Sequence, residues 1–405
     1  MKPHILIVAD GRSPTARSWI KNTQSAEFQV SLISTYPCDL PESLVHFQVI
    51  PVAFSQFTSR PGTQASGPPN RASGSGLKKF IRRFSPAFQN LRYHLGPLSL
   101  HYHVHTYRRL VGDWRPDLVH ALRIPFEGML ASHTPPEIPM IVATWGNDLT
   151  LHALGSRLMQ ARTKRCLARA NGLTSDTQRD VGLAQAWGLD PDAPTMVIPG
   201  SGGLDLDAID RAEGFDPDAF GIPEETVWVI NPRGLRPGSV NQDAFFASIP
   251  LVLEQQPNTV FICPAMAGLD QARAWVKQLG IEAQTFLLPK LPQHQLWALM
   301  KKSQVFVSPS SHDGTPNTLL EALACGCFPV VGDIESLREW IVDGVNGLLV
   351  DPRDPQALAA ASVEALRSPR LRQKAASRNR KLVEEKAARS AAQPKINDFY
   401  SQFIG

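Results

Sequence analysis

The sequence contains a long stretch without a single acidic residue. From Ser43 to Gly112 there is no aspartate or glutamate, whereas nine lysines and arginines lie in the same stretch. The whole chain has a net charge of +4, so setting those nine cations aside leaves the remainder near −5. A basic block of this kind indicates an anionic partner.

Cysteines and long apolar runs are also scarce. The five cysteines show neither a paired framework nor the spacing of a zinc site, which predicts reduced thiols in a cytoplasmic protein. No apolar run approaches the roughly 20 residues that a transmembrane helix needs. The start, Met1–Asp10, is a short apolar run closed by an acid, which predicts a first buried strand and no signal peptide.

What the sequence does contain is an alternation of short apolar runs with helical patterns. This alternation predicts an α/β protein with parallel sheets covered by helices on both faces. The polar segment Gln56–Gly76 predicts a mobile loop, and Asp190–Asp218, rich in Pro, Gly and Asp, predicts a domain linker. Since 405 residues exceed one ordinary core, we expect two doubly wound, Rossmann-like domains that face each other across a cleft. The predicted strands are His4–Ala9, Phe28–Ile33, Phe47–Val52, Asp117–His120, Pro139–Ala143, Thr226–Ile230, Thr259–Cys263, Ala283–Leu288, Val305–Ser308, Phe328–Val331 and Gly347–Val350.

Residues 309–326, P-S-S-H-D-G-T-P-N-T-L-L-E-A-L-A-C-G, place two acids eight positions apart around a tight turn. A predicted strand precedes the turn, and a helix is predicted over Thr318–Ala324. The free amides of Thr318, Leu319 and Leu320 would then form a phosphate site at the positive end of the helix dipole.

Other residues of this segment have predicted tasks of their own. Gly314 lets the backbone approach a ligand closely, and Pro316 suits the start of a helix. Glu321, about one turn into the helix, can accept both hydroxyls of a ribose, while Asp313 can accept hydroxyls of a transferred sugar. The alternative is an ordinary capping loop with Glu321 as a surface acid.

The run Asp313–Gly326 resembles the acid-x7-acid motif of the retaining glycosyltransferases of family 4, in which the first acid is usually Glu. Phe328–Asp333 and Ile341–Val350 are similar to the strand and turn that follow in that family, and Val119–Leu122 resembles a strand end of its first domain. The resemblance implies the GT-B architecture. It implies an acceptor-side domain over residues 1–199, joined again by a C-terminal helix at 388–405, and a donor-binding domain over 220–387.

The resemblance also implies roles for individual residues. Asp313 would hold the transferred sugar, and no metal or cofactor is expected, because positive side chains neutralise the leaving diphosphate. The residues implied to bind the nucleotide-sugar are Glu321, Gly314, Thr315, Pro316, Asn317, Thr318 and Leu319.

The chain departs from the family at the cations after the first strand of the second domain. Arg233 stands where the family has an Arg, but the family's Lys position is Gly238 or Ser239. We expect Arg236 to supply the second charge, because a guanidinium can hold a diphosphate through two hydrogen bonds. The alternative is a solvated Arg236 in a weak or inactive enzyme.

Five residues of the first domain are candidates for contacts with the acceptor or the diphosphate. Gly11 follows the first strand and would allow close backbone approach, while Arg12 and Arg17 would bind an acceptor phosphate. Gly146 and Asp148 follow a later strand and would face the acceptor. An ordinary strand-to-helix loop, and Asp148 as a helix cap, are the alternatives.

Histidines are the other candidates of the first domain. His120 matches the family's first histidine, so it is predicted either to reach the donor sugar in catalysis or to be a satisfied histidine at a strand end. The alternation in His101–His105 would place three imidazoles on one strand face. With no carboxylate or cysteine nearby, this group does not predict a metal site.

Leu77–Phe84 has an apolar stripe at helical spacing, flanked by four cations. Such a segment predicts an interfacial helix on an anionic membrane surface, or else a short core helix with solvated charges. We therefore expect a cytoplasmic protein attached to the inner membrane face, with a lipid-linked or otherwise anionic acceptor and no nucleic-acid partner.

The combined prediction is a retaining glycosyltransferase that moves a sugar from a nucleotide-sugar, by family resemblance a UDP-sugar, to an acceptor hydroxyl in glycoconjugate synthesis. Two alternatives stay open. One is a catalytically degenerate GT-B binding subunit, and the other is a sugar-nucleotide epimerase.

Overall fold

The computed structural model describes residues 2–25, 28–39, 43–55 and 85–404, with side chains left out for residues 25 and 85–91. The predicted mobile loop at 56–76 and the predicted interfacial helix Leu77–Phe84 lie outside the described residues. Two compact units are present. Unit 1 comprises residues 1–175, 180–201 and 395–405, and unit 2 comprises 176–179 and 202–394.

Unit 1 is built on a parallel sheet with the strand order β3-β2-β1-β4-β5-β6-β7. Its strands are β1 (His4–Ala9), β2 (Gln29–Ser34), β3 (Phe47–Val49), β4 (Leu118–Ala121), β5 (Met140–Thr144), β6 (Gly172–Ser175) and β7 (Thr195–Val197). Two of these strands, β6 and β7, are absent from the sequence prediction. The first has a single large apolar residue and the second only three residues, so neither gives a clear apolar run.

Unit 2 is built on a second parallel sheet with the order β10-β9-β8-β11-β12-β13. Its strands are β8 (Val227–Ile230), β9 (Thr259–Cys263), β10 (Thr285–Leu287), β11 (Val305–Ser308), β12 (Phe328–Gly332) and β13 (Leu348–Val350). The predicted bounds of β9 and β11 are confirmed, and the other predicted strands of this sheet differ only at their ends.

Helices connect the strands of both sheets. They are α1 (Pro14–Ser25), α2 (Ser85–Trp114), α3 (Met129–Ala131), α4 (Arg157–Arg169), α5 (Gln178–Ala186), α6 (Leu206–Asp210), α7 (Gln242–Gln255), α8 (Asp270–Leu279), α9 (Gln293–Lys302), α10 (Asn317–Ala324), α11 (Glu335–Arg338), α12 (Pro355–Arg367), α13 (Pro369–Lys386) and α14 (Arg389–Ser401). Short irregular turns cover Ile124–Gly128, Asp148–His152, Ala153–Gly155 and Asp218–Phe220.

The second sheet is buried on both faces, as parallel sheets require. Along β8, Trp228 and Ile230 pack into one apolar core, whereas Val229 packs into another on the opposite face. The same division separates Phe306 from its strand neighbours in β11. This is why these strands are continuous apolar runs in the sequence.

Each sheet has one point where the strand order reverses direction. In unit 1 it lies between β1 and β4, and in unit 2 between β8 and β11. Loops leaving the carboxyl ends of two such strands diverge to opposite faces, and the crevice between them is where open α/β sheets bind ligands. We call these two places switch point 1 and switch point 2.

Candidate active site

Switch point 2 is formed by two loops that are joined to each other. The amide of Ser311 donates to the Ser239 carbonyl at 2.9 Å, and Val240 pairs with Ser310. Behind the first loop, the buried side chains of Asn231 and Gln242 bond each other at 2.7 Å, and Gln242 also donates to the Gly234 carbonyl at 2.8 Å. The loop after β8 is therefore held against the loop after β11.

Arg233, the cation predicted from the family position, lies at the centre of this arrangement. Its guanidinium forms an ion pair with Asp313 and donates to the Thr318 hydroxyl at 2.8 Å. The side chain is only 4% exposed, and its Nε is buried without a partner. The structure thus brings Arg233 against Asp313 and Thr318 at the start of α10, which lie 80 and 85 residues further along the chain.

Arg236 lies beside Arg233 and donates through Nε to the Arg233 carbonyl at 3.1 Å. The nearby Arg233 charge is the main reason that the pKa of Arg236 is lowered, with burial adding to the effect. Two guanidiniums that repel each other, with Asp313 as the acid beside them, form a local positive charge that favours an anionic ligand.

Glu321, the second acid of the motif, is buried in α10. Burial raises its pKa to about 7, opposed by the nearby Trp297 indole N–H, by the hydrogen bond from the Gln293 amide and by the Arg233 charge. The Gln293 amide donates to Oε1 at 2.9 Å. Glu321 is only 8% exposed, so the alternative interpretation of Glu321 as a surface acid is wrong.

The start of α10 differs from the prediction in its backbone donors. Pro316 is the residue that caps the helix, and its carbonyl accepts the amides of Leu319 at 2.9 Å and Leu320 at 3.3 Å. Those two amides are therefore not free, which corrects the phosphate-binding role expected of the Leu319 and Leu320 amides. Among the described residues, no partner is recorded for the Thr318 amide.

Thr315 is engaged by other protein groups. Its amide donates to the Asp176 carboxylate at 3.1 Å and its hydroxyl to the Asp176 carbonyl at 2.5 Å, while the Trp340 indole donates to the same hydroxyl at 2.8 Å. Thr315 thus holds the loop in place, and a direct contact with a ligand would have to displace Asp176. Gly314 and Pro316 are buried beside it, whereas Asn317 is half-buried.

In unit 1, the residues after β1 are tied to protein partners. A Cβ on Gly11 would lie 2.5 Å from Cys38 Sγ and 2.8 Å from Ser34 Oγ, so the close approach at Gly11 is made by the protein itself. Arg12 forms a two-point ion pair with Asp10, at 3.0 and 2.9 Å. Arg17 donates to the Gly11 carbonyl at 2.7 Å.

Asp148 corrects the acceptor-side prediction, because it is fully buried. One oxygen accepts from Arg123 Nε at 3.1 Å, and the other accepts from the amides of Ile124 and Trp145, both at 3.2 Å. Arg123 has φ 117°, a conformation that side-chain-bearing residues rarely adopt. Asp148 therefore fixes the strained loop after β4, and Gly146 (φ 39°) makes the turn before it.

His120 is a satisfied core histidine, and the catalytic prediction for it is wrong. It is fully buried, with Nδ1 2.8 Å from the Tyr400 hydroxyl and Nε2 3.2 Å from the Thr174 hydroxyl. Burial lowers its pKa to about 3, so the ring is neutral at physiological pH. It anchors α14 to β4.

The three histidines at 101–105 lie in α2 and not in a strand, so they do not share one face. No group of three His, Cys, Asp or Glu suited to a metal ion occurs among the described residues. All five cysteines are unpaired. In the described part of the chain, no helix is long and apolar enough to cross a membrane.

Sequence reasoning missed two residues of these sites. Asp176 follows β6, a strand that was not predicted, so nothing marked it as a strand-end acid. Arg92 was counted only in the basic block, yet its guanidinium lies over the Phe126 ring at switch point 1, 4.6 Å from the ring centre.

Residues 11–200 match the glycosyl transferase 4-like domain, and residues 216–382 match glycosyl transferases group 1. The chain is 37% identical over 116 residues to a D-inositol 3-phosphate glycosyltransferase of Frankia alni, covering 28% of each protein. It is 24% identical over 283 residues to the enzyme of that name from Thermomonospora curvata, covering 65% of this chain and 61% of the relative. The matches thus span less than two thirds of these relatives.

Solved structures agree on the fold. HepE from Anabaena, in complex with UDP and glucose, superposes with a TM-score of 0.70 at 15% identity, covering 99% of this chain and 100% of that one. Sucrose-phosphate synthase from Thermosynechococcus elongatus gives a TM-score of 0.70 at 15% identity, covering 99% of both chains. The two family models and this fold together show that the chain belongs to the family-4-type glycosyltransferases with the GT-B fold.

Proposed function

We propose that this protein is a retaining glycosyltransferase that transfers a sugar from a UDP-sugar to an acceptor hydroxyl in glycoconjugate synthesis. The observation that carries the proposal is the joining of Arg233, Asp313 and Thr318 at switch point 2, with Arg236 and Glu321 beside them. This arrangement combines positive charge for a diphosphate with a buried carboxyl for a ribose. HepE, a neighbour in fold, is described in complex with UDP and glucose, which supports the choice of donor.

In this proposal Arg233 and Arg236 bind the diphosphate and stabilise the charge that grows on it as the bond from the sugar to the phosphate breaks. The ion pair with Asp313 holds the Arg233 guanidinium in place before the donor binds. The acceptor oxygen forms its bond on the face from which the diphosphate departs, and the departing phosphate oxygen takes the acceptor proton. No metal is required, because the arginines supply the charge that an ion would otherwise provide.

The direct test is to incubate the pure protein with a panel of nucleotide-sugars and to analyse the products. We expect UDP release and a new glycoside with the anomeric configuration of the donor, at rates unchanged by EDTA. Binding without turnover would support a degenerate binding subunit, and an epimerised sugar would support an epimerase. Loss of turnover in EDTA with recovery in a divalent ion would contradict the metal-free mechanism.

We further propose a cytoplasmic protein attached to the inner membrane face. The segment Leu77–Phe84 keeps this role as a prediction, and the described surface of α2 supports it. Leu95, Leu98 and Tyr102 are 42%, 48% and 85% exposed and lie on one helical face, which continues to the exposed Arg109. An apolar stripe with cations and no acids complements an anionic lipid surface.

Vesicle flotation tests this attachment. The wild type should float with anionic vesicles and be released by salt, while L98S/Y102S should float less. The matched control is V342S/V345S, which removes exposed apolar residues from unit 2 and should float like the wild type. Equal recovery with neutral and anionic vesicles would rule out the membrane proposal.

A further inference from the structure

Two arginines, Arg12 and Arg92, lie over the Tyr36 ring at switch point 1, and a third, Arg123, lies in the loop after β4. The guanidinium carbon of Arg12 lies 3.6 Å from the Tyr36 ring centre, and that of Arg92 lies 5.6 Å from it. Arg92 is also 4.6 Å from the ring centre of Phe126, in the loop after β4. The cluster thus stands where the chain leaves the carboxyl ends of β1 and β4, the position at which such sheets bind ligands.

Two of the three arginines have a carboxylate partner, and the third has none among the described residues. Arg12 pairs with Asp10, and Arg123 pairs with Asp148. Within the part of the chain that the structure describes, Arg92 forms no ion pair or hydrogen bond, and its Nε is buried without a partner. A guanidinium that has lost part of its water and gained no acid is in an unfavourable state that an anion would relieve.

The surrounding groups show that Arg92 and Arg123 act on the same small region. Burial, then the charges of Arg123 and Arg92, lower the pKa of His152 to about 3. Burial raises the pKa of Glu127 to about 7, although the same two arginines oppose the rise. Glu127 accepts the Thr35 hydroxyl at 2.5 Å, and among the described residues no ion pair joins it to Arg92.

We propose that Arg92, with Arg123 beside it, binds an anionic group carried by the acceptor. The group is a phosphate, sulfate or carboxylate, since the planar guanidinium matches these oxyanions through paired hydrogen bonds. This inference rests on the proposed function only in assigning the anion to the acceptor. Arg12 has a supporting part, because it packs on the Tyr36 ring that lies under Arg92.

Anion binding in unit 1 can be measured after the donor site is disabled. In an R233Q/R236Q background, inorganic phosphate, sulfate and acetate are titrated into the protein by calorimetry, each at constant ionic strength. We expect one of these anions to bind. R92Q should raise the Kd of that anion by about tenfold or more, because it removes one charge-assisted hydrogen bond. R92K should restore part of the affinity by returning the charge.

The matched control is R157Q, which removes an exposed arginine of the same unit that has no ion pair with any other described residue. Thermal melts check that each variant is folded. Equal affinities in R92Q and R157Q, or no anion binding in the parent, would overturn the inference. Absence of UDP binding by the wild type would instead refute the proposed function and leave the anion site standing, so the two failures are distinguishable.

Discussion

Switch points 1 and 2 use similar residues with different outcomes. Each has a buried glutamate whose pKa burial raises to about 7, Glu127 in unit 1 and Glu321 in unit 2. Each also has an arginine paired with an aspartate on a neighbouring loop. At switch point 2, Arg233 also contacts Thr318 at the start of α10. At switch point 1, Asp148 is fully buried, and the arginine without an acid among the described residues is Arg92 in α2. The comparison teaches that the same charge pattern can leave either partner of the ion pair exposed: the aspartate is the more exposed partner at switch point 2, and the arginine is at switch point 1.

The largest effect is expected at the ion pair of switch point 2. R233Q should lower turnover about 10²- to 10³-fold, as expected for a group that stabilises developing charge, and should weaken UDP binding less. Single-turnover sugar transfer measures the first quantity and calorimetry the second. R273Q, which removes an exposed arginine of unit 2, should match the wild type. Equal losses in binding and turnover would mean that Arg233 only binds the donor.

The pH dependence of stability compares the two glutamates directly. Their folded pKa values near 7 exceed the unfolded value of 4.5, so the folded state holds a proton that the unfolded state releases. Stability is therefore lost as pH rises from 4.5 through 7, by about 3 kcal/mol for each group. E127Q and E321Q should gain stability over the wild type between pH 5 and pH 8 in denaturant titrations. A gain that does not depend on pH would contradict the raised pKa values.

E321Q should also separate stability from binding. The neutral amide keeps the size of the side chain but loses the charged acceptor, so UDP affinity measured above pH 7, where Glu321 is ionised, should fall by roughly 1.5–3 kcal/mol. E127Q lies at switch point 1 and should leave UDP affinity unchanged. Calorimetric titration of both variants with UDP checks the difference. Equal UDP affinity in E321Q and the wild type would show that Glu321 does not hold the ribose.

The smallest effect on turnover is expected at His120. H120N should lower the free energy of unfolding by about 1–3 kcal/mol, because the Tyr400 and Thr174 hydroxyls lose a buried partner. Turnover per folded molecule should stay within about twofold of the wild type. Chemical denaturation and steady-state rates measure the two quantities. A large loss of turnover at unchanged stability would restore the catalytic role.

The sequence alone determined the parts of this protein that local patterns encode. Continuous apolar runs predicted the strands of unit 2, since both faces of a parallel sheet are buried. The spacing of Asp313 and Glu321 predicted a strand, a turn and a helix, because short-range rules govern helix starts and tight turns.

Tertiary structure decided which polar groups are satisfied by the protein and which remain available. Nothing near His120 in the sequence marks Tyr400, 280 residues away, as its partner. Nothing near Thr315 marks Asp176, and nothing near Arg123 marks Asp148, 25 residues away, as its partner. A hydrogen bond or ion pair between distant segments depends on sheet order and loop paths, which local sequence does not encode. For that reason the motif could be located from the sequence, but the roles within it required the fold.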